Sequence, residues 1–278
     1  MKSAKVPSVP NGKNEIKLPQ GATPYQYLEI NGDTVQAVDG GVIDEGLVSI
    51  YVNVAEVATV MCSPVDEEAL AIGFLYNEHL IEQYTDIAHL QVNATRTVID
   101  IFLTHSDVQV SRRMVITSGC GGGVASLSQQ YEPLISAADT SANVITGGMR
   151  QLRGAATLYN AVRGVHTAIL NDNDTMLLSA EDVGRHNTID KIAGKALQQG
   201  INTRDKLLFA TGRISSEMVH KARRMHIPIV VSRTAPTKLA IELAAYWNIC
   251  LVGYVRQNSL RVYTMPERIQ LTAANNGS

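Results

Sequence analysis

The feature that most constrains this chain is an alternation of short apolar runs and longer amphipathic stretches over residues 206–254. Lys206-Leu-Leu-Phe-Ala210 precedes the stretch 215–225, Ile227-Pro-Ile-Val-Val231 precedes 237–247, and a third apolar run covers 249–254. Strand-length runs joined to helix-length segments by short connections are βαβαβ units. Such units close as a parallel core with right-handed crossovers and helices packed over it. Upstream, 167–170 and 175–178 read as short strands and 186–199 as a helix. In sheets of this kind, sites form beyond the carboxyl ends of the strands. Those ends are Thr211-Gly-Arg213, Ser232-Arg-Thr234 and Tyr254-Val-Arg256: each has an arginine, and the first two add hydroxyls.

The N-terminal half reads differently. Residues 27–30 and 34–38 flank Asn31-Gly32, a hairpin signal, and 47–54 alternates before running into 57–62. Ser63-Pro64 then reads as the N-cap and first position of a helix with Asp66, Glu67 and Glu68 in its first turn. Residues 98–103 return to strand. The expected organisation is a disordered tail over 1–24, a strand-rich N-terminal lobe over 25–105 and a mobile Gly-rich loop over 106–140 carrying Cys120. An α/β domain over 141–267 and a disordered tail over 268–278 complete it.

Composition removes several classes of function. With 24 Lys+Arg against 26 Asp+Glu, the net charge of -2 argues against a nucleic-acid-wrapping surface. A hydrophobic fraction of 45% is that of a globular chain. No apolar run is long enough for a membrane span, and the polar first twenty residues lack an apolar core and cleavage site, so the expected location is the cytoplasm. Three widely spaced cysteines make no disulfide framework. Cys62 and Cys250 lie in apolar runs and read as buried strand residues.

Common catalytic signatures fail one by one. The Gly194-Lys195 pair lacks the first glycine and the hydroxyl of a phosphate-binding loop, no serine sits in a nucleophile elbow, and no Cys/His set has zinc spacing. Three groups of residues remain. Cys120 sits in Thr117-Ser-Gly-Cys-Gly-Gly-Gly-Val124, downstream of Arg112 and Arg113. It is either the small residue of a turn or a reachable thiolate near positive charge and free backbone N–H groups. Residues 180–191, Ala-Glu-Asp-Val-Gly-Arg-His-Asn-Thr-Ile-Asp-Lys, are either a capped helix with surface pairs such as Asp190 with Lys191, or a ligand-facing junction. In the second case Arg185 and His186 face a ligand and Asp182 orients them or accepts from it. Finally, Arg213 with Ser215, and Ser232 with Arg233, make two hydroxyl-plus-arginine cups on adjacent strand ends, which suit a ligand with more than one phosphate. His166 reads as a satisfied core histidine, and Lys221, Arg223 and Arg224 as a solvated helix face.

Together these stretches resemble the FdhD/NarQ family of formate dehydrogenase accessory sulfurtransferases. The resemblance runs from about residue 45 to residue 264. It is carried by Ser63-Pro-x-Asp66 with Gly73-Phe74, Thr117-Ser-Gly-Cys-Gly121, Glu181-Asp-Val-Gly-Arg-His-Asn187 with Asp190-Lys191, Arg213-x-Ser215-x-Glu-Met-Val219, and Ser232-Arg-Thr-Ala-Pro-Thr237. It implies a three-layer, cytidine-deaminase-like C-terminal domain without zinc. It implies a sulfurtransferase that takes persulfide sulfur from a cysteine desulfurase and passes it to the molybdenum bis-guanine-dinucleotide cofactor of formate dehydrogenase, and a homodimer. The persulfide carrier maps onto Cys120, and the cofactor-binding segment onto Tyr254, Val255, Arg256, Gln257, Asn258 and Ser259. Two departures stand out: Gly123 replaces the second cysteine of the family's Cys-x-x-Cys loop, and Ser259 replaces an arginine, with Arg261 two residues on. A cofactor-holding chaperone without sulfur transfer would need the cups but not Cys120.

Overall fold

The computed structural model describes residues 17–105, 114–116 and 131–270. The N-terminal part opens with a hairpin of β1 (Ala22–Asn31) and β2 (Thr34–Ile43), in which Asn31 pairs with Thr34 around the expected turn. Next come β3 (Gly46–Val52), β4 (Ala55–Cys62), α1 (Glu67–Asn77), β5 (Ile87–Val92), β6 (Val98–Leu103) and β7 (Met114–Ile116). These five strands form one sheet in the order β5-β6-β3-β4-β7. The alternation in β3 puts Val48, Ile50 and Val52 inward against Leu70, Ile72 and Leu75 of α1, and these residues make the N-terminal core.

The C-terminal part starts with β8 (Thr140–Ser141), α2 (Ala142–Ala155) and α3 (Thr157–Val162). It continues through β9 (His166–Asp172), β10 (Thr175–Asp182), α4 (Arg185–Gln199), β11 (Leu207–Ala210), α5 (Ser216–Arg224), β12 (Ile229–Ser232), α6 (Lys238–Tyr246), β13 (Cys250–Gly253), β14 (Arg261–Val262) and β15 (Ile269–Gln270). Six strands form a mixed sheet in the order β10-β9-β11-β12-β13-β14, with β11, β12 and β13 parallel. The expected βαβαβ segment is therefore its centre.

Strand alternation divides the core into two. Ala168, Leu170, Leu208, Ala210, Val230 and Leu251 face α4, α5 and α6. Ile169, Leu207, Phe209, Ile229, Val231 and Val252 face Ile145, Met149 and Leu152 of α2. The result is three layers, helix on sheet on helix.

Several expectations need correction. The first strand begins at Ala22, inside the expected tail, and β15 pairs with β8 inside the other expected tail. The expected 106–140 loop holds β7, paired with β4, and a described stretch from Tyr131. That stretch is tied down by Trp247 Nε1 donating to the Tyr131 carbonyl at 3.1 Å. Ser63 does not cap α1. Asp66 occupies the cap position with a left-handed backbone (φ 55°), while Ser63 is fully buried and bonded across to the C-terminal part. Two helices went unread, α2 and α3. The spacing of Val144, Ile145, Met149 and Leu152 behind Ser141, whose hydroxyl accepts from the Val144 N–H, was the available signal for α2.

The two parts meet along α1 and α4. A Cβ on Gly73 would lie 1.7 Å from the Asp190 carbonyl oxygen, and one on Gly194 would lie 1.9 Å from that of Ala69. Only two glycines facing each other let the helix backbones approach so closely.

Candidate functional site

A cavity of about 950 Å³ opens beside the carboxyl ends of β11 and β12. The strand ends contribute Thr211, Arg233 and Thr234, the segment after β13 contributes Val255, Arg256 and Gln257, and β9 contributes His166 and Thr167. The remaining wall comes from the helices the sequence reading missed: Arg150 and Arg153 of α2, Tyr159 and Asn160 of α3, and Arg163. Among the described residues, five arginines and no carboxylate line it. Among the described residues none of the five pairs with an acid. Unpaired cations converging on a concave surface attract an anion. Arg256 is oriented by its own surroundings, donating to the carbonyls of Arg233 (2.8 Å) and Val255 (3.1 Å).

The sequence-predicted residues divide sharply. Arg233, Val255, Arg256 and Gln257 line the cavity. Tyr254 lies beside them, its ring 4.2 Å from the Arg261 guanidinium carbon. Arg213, Asn258 and Ser259 are exposed and outside the lining. Ser232 is fully buried and its hydroxyl donates to the Gly212 carbonyl at 2.6 Å, bracing the turn below the cavity. The two-cup expectation is thus corrected: the arginine of the second cup reaches the cavity, and the hydroxyls of both cups serve the backbone or a neighbouring ring.

Residues 180–191 are an internal frame. The Asp182 carboxylate, fully buried, pairs with Lys191 at 2.6 Å and accepts from the N–H groups of Ser63 and Gly184 and from Asn187 Nδ2. It has no capacity left for a ligand. Glu181 accepts from the N–H groups of Leu158 (2.7 Å) and Tyr159 (2.9 Å), capping α3 from the sheet. Asp190 and Lys191 are not a surface pair: Lys191 is fully buried, and Asp190 bonds Lys221 at 2.6 Å. Lys221 and Arg223 are likewise buried and not solvated, with Arg223 donating twice to the Glu132 carbonyl and Arg224 reaching Tyr76, Ile81 and Glu82. Arg185 packs by Gly212 and His166, and its Nε is buried without an acceptor.

His186 lies between Ser215 (Nε2 to Oγ, 2.9 Å) and Glu217 (Nδ1 to Oε2, 3.3 Å). The connectivity imitates a serine–histidine–acid relay, but the chemistry does not follow. Burial, then Lys221 and Arg185, push the His186 imidazole down to about 3, so it cannot take a serine proton near neutrality. The Ser215 hydroxyl is also the N-cap of α5, accepting from the Met218 N–H. His166 bonds the Thr211 hydroxyl through Nδ1 (3.2 Å), and burial with the nearby Arg185 lowers its pKa. Neither ring is a poised general base. Among the described residues, no group of three His, Cys, Asp or Glu side chains is placed to hold a metal, and no helix is long and apolar enough to cross a membrane.

The cysteines sort by burial. Cys62 and Cys250 are fully buried free thiols, and burial pushes both up to about 12. A thiol held protonated is no nucleophile. Cys120 lies outside the described residues.

Comparison with known proteins settles the lineage. The model of the FdhD/NarQ family matches residues 43–270. This chain belongs to the FdhD/NarQ family. It is 35% identical over 263 residues to a protein of Staphylococcus haemolyticus named sulfur carrier protein FdhD, covering 91% of this chain and 97% of that one. A Bacillus subtilis protein of the same name is 34% identical over 243 residues, covering 85% and 93%. A crystal structure from Desulfotalea psychrophila, described as a formate dehydrogenase accessory protein, superposes with a TM-score of 0.78 at 27% identity. It covers 90% of this chain and 100% of that one. The FdhD/NarQ match spans the five-stranded and six-stranded sheets and the residues that line the cavity.

Proposed function

We propose that this protein is a sulfur carrier for formate dehydrogenase maturation. Cys120 accepts sulfur from a cysteine desulfurase, and the cavity holds the recipient, the molybdenum bis-guanine-dinucleotide cofactor, as cargo. The observation that carries the reading is a cavity whose described lining has five arginines, none paired with an acid among the described residues, and no carboxylate. Its size and charge suit a bulky ligand bearing phosphates, and its position beyond the ends of parallel strands is where such sheets bind ligands. The names of the relatives agree with the carrier role, and the inert thiols of Cys62 and Cys250 leave Cys120 to perform it.

The chemistry is a thiol exchange. The Cys120 thiolate attacks the terminal sulfur of the desulfurase persulfide, the donor's thiolate leaves, and Cys120 becomes the persulfide. The terminal sulfur then passes to the cargo, and Cys120 returns as a thiolate. With glycine at 123, one thiol serves both steps. On this reading the C-terminal domain is a cytidine-deaminase-like scaffold used for holding a nucleotide, the protein works in the cytoplasm, and it functions as a homodimer.

The test is mass spectrometry of the full chain after incubation with a cysteine desulfurase and cysteine. Wild type gains about 32 Da per sulfur atom on Cys120, and Cys120→Ala gains nothing and fails to mature formate dehydrogenase in cells. An alanine variant that matures the client fully overturns the carrier role. Cargo binding without any adduct on wild type favours a chaperone without sulfur transfer.

A further inference from the structure

The cavity wall contains one backbone anomaly. Arg163, at the end of α3, has φ 64° and ψ −164°, a combination that glycine alone adopts without steric cost. Gly164 follows at φ 74°, where the missing Cβ removes that cost. Together the two residues turn the chain from α3 into β9 and leave Arg163 in the cavity lining. A glycine at 163 would make the same turn unstrained, so the turn does not explain the arginine.

Two uses for its side chain are visible. The guanidinium carbon sits 4.9 Å from the centre of the Tyr159 ring, and α3, which carries that ring, is pinned by the Glu181 carboxylate at its N-terminus. A cation–π stack at an exposed site returns less than this backbone conformation costs, so the stack orients the group without accounting for it. The second use is outward. Arg163 has no acid partner among the described residues, and Arg150 and Arg153 share its wall. A planar guanidinium held over a ring has fewer orientations open to its forked N–H groups, which suits the oxygens of a phosphate.

We propose that Arg163 is an anion-binding residue of this cavity, held by Tyr159 and by a strained backbone so that it contacts the phosphates of the nucleotide-bearing ligand. The proposal rests on the cofactor-holding reading above. It predicts an unusual pairing of effects, because one substitution removes both the strain and the contact.

Guanosine diphosphate is the probe, titrated calorimetrically into the full chain, with thermal melts of the same samples. Arg163→Gly is expected to weaken binding about tenfold, the effect of losing one charge-assisted contact. It is also expected to raise Tm by about 2–4 °C through relief of strain. Arg163→Ala is expected to weaken binding equally without the rise in Tm. If Arg163→Gly binds as wild type does while Arg256→Ala is weakened, the assignment of Arg163 fails and the cavity reading survives. If Arg163→Gly melts below wild type, the arginine is a structural prop and the proposal is overturned. If wild type does not bind guanosine diphosphate, the nucleotide reading falls and Arg163 falls with it.

Discussion

The α1–α4 seam and the α2–α3 wall are both rich in charge, and they use it in opposite ways. In the seam the lysines have acids: Lys191 has Asp182, Lys221 has Asp190 and Glu217, and Lys195 has Asp66. Asn77 and Asn187 take up further carboxylate oxygens. The wall supplies Arg150, Arg153 and Arg163 to a cavity that Arg233 and Arg256 also line, and among the described residues no acid lines it. Buried charge is tolerated in a fold when it is paired, because an isolated ion costs several kcal/mol to desolvate. Charge left unpaired on a concave surface is retained for something that arrives later. The contrast separates residues that hold this molecule together from residues that wait for its ligand, and several of the former come from the motif that looks most functional in the sequence.

That comparison can be broken in order of effect. Lys191→Met strands the Asp182 carboxylate in a fully buried site and should cost about 3–5 kcal/mol in chemical denaturation. Adding Asp182→Asn should recover part of the loss, since the two groups act as a unit. Gly73→Ala drives a methyl into the Asp190 carbonyl and should cost about 3 kcal/mol, with loss of the helix contact seen as faster amide exchange in α1 and α4.

Glu78 gives a smaller, pH-dependent signal. Burial, only partly offset by Lys221, pushes its carboxyl up to about 7, and Oε2 has no partner. A carboxyl whose folded pKa is raised stabilises the fold below its unfolded pKa, near 4.5, and that contribution is lost as pH rises through about 7. Glu78→Gln should therefore be more stable than wild type by about 2 kcal/mol at pH 8, with the gap closing toward pH 5. Denaturation at the two pH values reads it directly. The smallest stability effects belong to the wall: Arg150→Ala or Arg153→Ala should move stability by less than about 0.5 kcal/mol while weakening guanosine diphosphate binding. Large destabilisation by either would erase the distinction between seam and wall.

Much of the fold was legible. The βαβαβ run, the Asn31-Gly32 hairpin and the inward alternation of β3 follow local rules of period and turn chemistry, and the structure has each of them. The missed helices had weaker signals. Gly147, Gly148 and Gly154 dilute α2, and Gly148 is needed because a Cβ there would sit 2.3 Å from the Phe209 ring. Ser63-Pro64 looked like a helix start because hydroxyl, proline and acids stand in the right order, yet Ser63 is claimed by Val183 and Lys191 across the seam.

The sequence alone determined the kinds of elements, the strand ends where ligands could gather, and, through its motifs, the lineage. Whether a charged residue faces a partner or a cavity was decided by the tertiary structure. Asp182 and Arg256 look equally functional in one dimension. Helix α4 turns the first toward a lysine nine residues on, and the segment after β13 leaves the second beside arginines contributed from roughly a hundred residues away. The physical reason is that pairing energy depends on distance and solvent, and neither exists until the chain has closed.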